Sequence, residues 1–338
     1  MKKLCGMMLA GLICFSFVWH PSFGGHAQAE TITLKYSNFF PPTNQISKLA
    51  DQWCKEVEKR TNGRVKVDYF PGGALTRPTE TYQGVTKGIA DIGLSFCSYT
   101  RGRFPLSEVI DLPLGYKSGY LGTKLANAYY AKFKPKEFDD VKIIYLHTSP
   151  PHRLHTKEPV NNLEELKGLK IRSTGTSGKV VEALGGLSVA MPMSAAYDAL
   201  RKGVAEGIVC PFEPMKGFKL ADVIRYSTPF GSAYTNLAYV VMNKAKWDSL
   251  PPDIQKIIEQ INSEWMEKQG KLWDELDQEG KGYYLQTGGK VITLSEEENA
   301  RWTKLLRPIL DEYVKEKEAM GLPAKEALEF CINYLKTH

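Results

Sequence analysis

The sequence predicts an α/β protein built from two lobes that share helices near the C-terminus. Strand-like and helix-like segments alternate from residue 31 to residue 94. The same alternation returns between residues 141 and 210. The chain has 338 residues, which at roughly 150 residues per domain is room for about two domains. Strand, helix, strand, helix, strand is the order of an α/β sheet with mostly parallel pairing.

Each element has a local reason. Residues 31–36 alternate in polarity and are rich in β-branched and aromatic side chains, so they read as a strand. Pro41-Pro42 punctuates the loop that follows. Ile46, Leu49, Ala50, Trp53 and Val57 share one face of a helix over 46–59, and Asn62-Gly63 ends it. A second strand covers 65–70 and closes on Pro71-Gly72-Gly73. A helix over 79–87 stops at Gly88, and a third strand follows at 89–94. In the second set, strands are expected at 141–147, 168–172 and 208–210. Helices are expected at 163–167, 178–184 and 195–202. Residues 238–242 read as a further strand. Pro251-Pro252 opens a helix reaching about Gly280, and Ser295 followed by three glutamates reads as another helix start.

Composition removes several classes. Hydrophobic content is 43%, charged 24% and aromatic 11%, which fits neither a disordered chain nor a polytopic membrane protein. The net charge of +6, from 44 basic and 38 acidic residues, is too weak and too evenly spread for nucleic-acid binding. Lys2 and Lys3, the apolar run 4–18 and Ala27-Gln28-Ala29 form the three parts of a secretory signal peptide, 1–29, cleaved near Ala29. The bulky Ile13 before Cys14 argues against a lipid-attachment site. Cys5 and Cys14 leave with that peptide. Cys54, Cys97, Cys210 and Cys331 remain, none in a CxxC pair, and are expected as free buried thiols.

Enzyme motifs do not assemble. Residues 173–179 end in Gly178-Lys179, but Val180 follows and no glycine stands five positions before Gly178, so a phosphate loop fails. No Gly-x-Ser-x-Gly elbow occurs in that stretch. His147, His152 and His155 cluster, yet Pro150-Pro151 rules out the single helix that a His-x-x-His metal pair would need. The expectation is no catalysis, no metal and no cofactor.

Three segments resemble the solute-binding subunits of tripartite ATP-independent periplasmic (TRAP) transporters, the dicarboxylate-type family. The first runs from Glu56 to Val65 and on to Tyr69-Phe70-Pro71-Gly72-Gly73-Ala74-Leu75. The second is Leu166-Lys167-Gly168-Leu169-Lys170-Ile171-Arg172, with Leu184-Gly185-Gly186 and Ala205-Glu206-Gly207 behind it. The third is Tyr239-Val240-Val241-Met242-Asn243 with Trp247-Asp248-Ser249-Leu250-Pro251. The resemblance implies a two-lobed periplasmic binding protein that closes by hinge motion, with a long helix spanning both lobes. It places lobe I at 30–149 plus 239–279, and lobe II at 150–238 plus 280–338. It also implies a small organic acid as ligand, membrane permease subunits as partners and a periplasmic location. A monomer is the default. A sensor subunit serving a signalling kinase is the alternative role.

The resemblance assigns Arg172 to the ligand carboxylate. A guanidinium offers parallel N–H donors that match two carboxylate oxygens. Sugar-acid-binding relatives carry polar residues where this chain has Phe39, Phe96, His152 (with Arg153 adjacent) and Cys210, and an aromatic where it has Met193. A ligand rich in hydroxyls would leave donors unpaired there, whereas an apolar body gains from Phe39, Phe96, Phe212 and Tyr234. Glu213 could meet an ammonium group, and Asn236 completes the expected ligand set. The expected ligand is a monocarboxylate with a hydrophobic or aromatic body. A polar sugar acid or dicarboxylate is the alternative.

Overall fold

The structure, a computed structural model, describes residues 31–338. The expected signal peptide lies outside the described residues. In chain order the first strands are β1 (Ile32–Asn38), β2 (Val65–Phe70), β3 (Ile92–Phe96), β4 (Val141–Thr148), β5 (Arg153–Thr156) and β6 (Lys170–Ser173). The others are β7 (Leu187–Ala190), β8 (Gly207–Cys210), β9 (Tyr226–Pro229), β10 (Leu237–Asn243) and β11 (Lys290–Val291). The helices begin with α1 (Gln45–Arg60), α2 (Thr81–Thr86), α3 (Gly119–Phe133), α4 (Leu163–Leu166), α5 (Thr176–Ala183) and α6 (Ala196–Arg201). They end with α7 (Glu213–Gly217), α8 (Lys244–Asp248), α9 (Pro252–Gln286), α10 (Glu296–Glu318) and α11 (Ala324–Thr337).

The strands form two sheets, ordered β2-β1-β3-β10-β4 and β11-β9-β5-β8-β6-β7. Parallel pairing holds for β1 with β2 and β3, and for β6 with β7 and β8. Parallel pairing also joins β9 to β11, so most strand pairs are parallel as expected, and the exceptions involve β10 and β5. β10 is antiparallel to both β3 and β4, and β5 is antiparallel to both β8 and β9. The reason is connectivity. The chain leaves the first sheet after β4, builds most of the second, and returns as β10 running against the strands that receive it.

The two crossings between sheets are residues 149–152 and 230–236, and they are tied together. The Ser149 N–H donates to the Asn236 carbonyl at 3.2 Å, and the His152 N–H donates to the Tyr234 carbonyl at 2.9 Å. α9 is a third link. Its 35 residues extend about 52 Å at 1.5 Å per residue. Two glycines mark where it docks. A Cβ on Gly270 would meet Tyr120 of α3 at 2.9 Å, and one on Gly280 would meet the Phe212 carbonyl oxygen at 2.3 Å. The helix therefore sits on α3, beside the first sheet, and on α7, which follows β8 of the second.

The first sheet's core joins Leu34, Tyr36, Trp53 and Ile92 to Ile258, Ile261, Trp265 and Trp273 of α9. A smaller core under the second sheet holds Ala196, Ile208, Phe212, Leu220 and Tyr284. α3 was not expected from sequence. Its buried face is Gly119, Gly122, Thr123, Leu125, Ala126 and Tyr129, small or polar at most positions, so no apolar stripe announces it. α11 lies against α3, with Phe133 and Phe330 rings 5.6 Å apart and Lys132 paired with Glu326 at 3.0 Å. All four described cysteines are free and buried.

Candidate ligand-binding site

Arg172 sits on β6, between β7 and β8, and is 2% exposed. Its Nε–H donates to the Met191 carbonyl at 2.9 Å. Its Nη2 is buried and has no partner. Among the described residues no carboxylate pairs with it. Taking a guanidinium out of water costs several kcal/mol unless an anion and further hydrogen bonds compensate. The site thus holds a desolvated positive charge without a counter-ion.

His152 lies in the first crossing. Its Nε2 lies 2.8 Å from Ser149 Oγ, which also accepts the Asn236 N–H at 3.1 Å. Thr235 Oγ1 donates to the Ser149 carbonyl and completes this small network. The other ring nitrogen, Nδ1, is buried without a partner among the described residues. Burial holds the imidazole well below its ordinary value, and the nearby Arg172 acts the same way, so the ring is neutral. Asn236 is also buried, with its Oδ1 unpartnered.

These groups line one small cavity with about 30 Å³ of free volume. Its remaining wall is largely aromatic. Phe39 and Phe40 follow β1, with ring centroids 4.3 Å apart. Phe96 ends β3 at 5.9 Å from Phe39, and Tyr99 stands 5.7 Å from Phe39. Trp273 of α9 lies 5.9 Å from Phe40. Met193 closes the side facing the second sheet, and its N–H donates to the Tyr99 hydroxyl at 3.1 Å. Glu213 also lines this space. Its Oε1 accepts from Asn44 Nδ2 at 2.8 Å, and burial pushes its carboxyl up to about 7.

A larger cavity of about 290 Å³ shares Tyr99 and touches Arg101, Glu108, Lys179 and Glu182. Arg101 and Glu182 are exposed there and the other two are partly exposed, so water already solvates its charges. The smaller cavity, with its unpaired buried cation, is the stronger candidate for a ligand.

Of the residues expected at the site, Arg172, Phe39, Phe96, His152, Met193, Glu213 and Asn236 line this cavity. Four others are placed outside its wall. Arg153 on β5 stacks its guanidinium 5.2 Å over the Phe212 ring. Phe212 itself packs on His155 and Tyr284. Cys210 is fully buried at the end of β8, its carbonyl oxygen 3.0 Å from His155 Nε2. Tyr234 backs His152 at 4.7 Å between ring centroids. Phe40, Tyr99, Ser149, Phe218 and Trp273 join the wall without having been expected. Phe40 had its neighbour Phe39 as a signal, and Trp273 its place on the long helix. The three clustered histidines take separate partners, with His147 Nδ1 accepting the Trp273 indole N–H at 2.9 Å.

Comparison with known proteins places this geometry. Residues 36–317 match the family described as bacterial extracellular solute-binding protein, family 7. The C4-dicarboxylate-binding periplasmic protein DctP of Rhodobacter capsulatus is 26% identical over 89% of this chain and 92% of its own. A TRAP solute-binding protein of an unidentified marine microbe, specific for aromatic acid ligands and crystallised with 3-hydroxybenzoate, is 28% identical. It superposes with a TM-score of 0.86 over 91% of this chain and 99% of its own. A TRAP solute-binding protein of Rhodoferax ferrireducens T118, holding copurified benzoate, is 27% identical with a TM-score of 0.86 over 91% and 98%. Among the described residues no helix is long and apolar enough to cross a membrane. The chain belongs to the family 7 extracellular solute-binding proteins, the two-lobed receptor subunits of TRAP transporters, and is a receptor rather than an enzyme.

Proposed function

We propose that this receptor captures a monocarboxylic acid with a hydrophobic, aromatic body in the periplasm and hands it to TRAP membrane permease subunits. The observation that carries this reading is Arg172, a buried guanidinium without a counter-ion beside a wall of Phe39, Phe40, Phe96 and Trp273. A carboxylate would take the free Nη2–H of Arg172 beside the unpartnered Nδ1 of His152, while Asn236 can turn either end of its amide to the ligand. The ring would then lie against aromatic faces at little desolvation cost. Aromatic acids in related receptors support the reading. The dicarboxylate of the Rhodobacter relative would need a second cation, and Arg153 lies over Phe212 instead.

The free volume of about 30 Å³ is far below the roughly 300–1,000 Å³ of ordinary ligand pockets. A ring therefore enters as the lobes part about the paired crossings 149–152 and 230–236. Isothermal titration and thermal shift with benzoate, phenylacetate and mandelate, set against galacturonate and succinate, test the proposal. Aromatic acids should bind and stabilise. Stabilisation by sugar acids or succinate alone would overturn it.

A further inference from the structure

Among the described residues, Glu213 is the one carboxyl in the cavity wall, which it shares with Arg172 and His152. It is 4% exposed and opens α7. Burying a carboxyl here is costly, and the protein provides little in return. Oε1 accepts one hydrogen bond, from Asn44 Nδ2. No cation of the described residues forms an ion pair with it, Arg172 included. An ionised carboxyl can accept about four hydrogen bonds, so most of its capacity is unmet. A glutamine would satisfy Asn44 equally well and carry no charge.

Position separates the two charged groups. Arg172 pairs in register with Ile208 of β8, whereas Glu213 lies beyond the end of that strand, on a helix packed against α9 and held to α1 through Asn44. Aromatic side chains and Met193 line the same space. The cavity therefore offers a cation, an apolar wall and an acceptor set apart from the cation.

We propose that Glu213 is a specificity-determining residue that accepts a hydrogen bond from a hydroxyl on the ring of the bound acid, so that the preferred ligands are hydroxylated aromatic monocarboxylates. This rests on the aromatic-acid reading above and narrows it. A carboxyl poised near neutrality suits a neutral donor, because it gains a partner without needing a full counter-charge. A site built around a ligand hydroxyl discriminates strongly against analogues that lack it, since its buried acceptor is then left unpaired.

The test is a titration series on the unmodified protein with benzoate, 3- and 4-hydroxybenzoate, the two matching methyl ethers and 3-aminobenzoate. At least one hydroxy acid should bind about tenfold or more tighter than benzoate and than its own methyl ether. That ratio should collapse in Glu213→Gln, where the amide oxygen stays with Asn44 and the amide nitrogen faces the ligand. Benzoates that bind with no hydroxyl advantage would overturn this inference and leave the aromatic-acid reading standing. A tenfold preference that survives in Glu213→Gln would also overturn it, as would 3-aminobenzoate binding tightest. Failure of every aromatic acid to bind would overturn both.

Discussion

Asn44 holds Glu213 from the far side of the cleft while capping its own helix. Its Oδ1 accepts the Ile46 N–H at 2.8 Å at the start of α1, and its Nδ2 donates to Glu213 Oε1 at 2.8 Å. One side chain thus fixes the entry to α1 and ties that layer to α7. Asn44→Asp keeps an acceptor for the cap, since Asp and Asn cap almost equally well. It also sets a carboxylate against a buried carboxyl. Such a pair holds a shared proton, or its members repel. The thermal midpoint of Asn44→Asp should fall below wild type at pH 8 and recover at pH 5. Asn44→Ala should lose about 1 kcal/mol at both pH values through the lost cap. Identical melting of Asn44→Asp and wild type at pH 8 would show that the contact carries no weight.

Arg172 sets function against stability. Without ligand its buried charge is uncompensated, and an apolar side chain of similar volume often replaces such a charge at no loss or at a gain. Arg172→Met should therefore melt at or above the wild-type midpoint without ligand and lose the thermal shift given by any carboxylate. Arg172→Lys should weaken binding by about 2 kcal/mol or more, some 30-fold, because one ammonium cannot reproduce the planar fork. Binding by Arg172→Lys within threefold of wild type would remove this residue from its role.

Much of this was legible in the sequence, and the limits have physical causes. The expected bounds of β2 match the observed ones because alternation and the closing Pro71-Gly72 are local signals. The pairing of β10 was not legible, since strand direction depends on a return from the second sheet and leaves no local trace. At the site, Arg172 came from a motif and Phe39 and Phe96 from their places at strand ends. Ser149 could not be found that way. Its part in orienting His152 depends on Thr235, 86 residues away, and only the tertiary fold brings them together. Arg153 neighbours His152 in sequence, but adjacent positions at a strand start diverge, and Arg153 lies over Phe212.

Gly280 locates the second docking point of α9. The Cβ of an alanine would fall 2.3 Å from the Phe212 carbonyl oxygen and 2.9 Å from the Glu213 Cα. Both are backbone atoms, so no side-chain rotation relieves the clash. Helix propensity favours alanine by about 1 kcal/mol, while overpacking costs about 1–3 kcal/mol and here also displaces the segment bearing Glu213. Gly280→Ala should lower the denaturation midpoint and weaken ligand binding. Gly282→Ala, with open space at its Cβ, should be neutral or slightly stabilising. Equal effects of the two substitutions in urea melts would rule out tight docking at Gly280.

The same carboxyl gives the protein a signed pH dependence. Glu213 rises from an ordinary 4.5 to about 7, chiefly through burial, with Asp277 adding to it. Asp277 rises to about 6, also through burial, although the N–H groups of Phe212 and Glu213 donate to it and Arg153 opposes the rise. Between about pH 4.5 and 7 the folded state keeps a proton that the unfolded chain has released. Stability from Glu213 is therefore greatest at the acid side of that window and is lost as the pH rises through it. The buried histidines act oppositely. His147 and His155 are held down to about 3 by burial, so they cost stability as the pH falls below their ordinary 6.5. Comparing wild type with Glu213→Gln at each pH cancels the histidine contribution. The stability of Glu213→Gln relative to wild type should climb from pH 5 to pH 8, by up to about 3 kcal/mol at 1.36 kcal/mol per pKa unit. Denaturant melts of the two proteins at three pH values measure it, and parallel pH profiles would mean that Glu213 ionises in the folded protein as freely as in water.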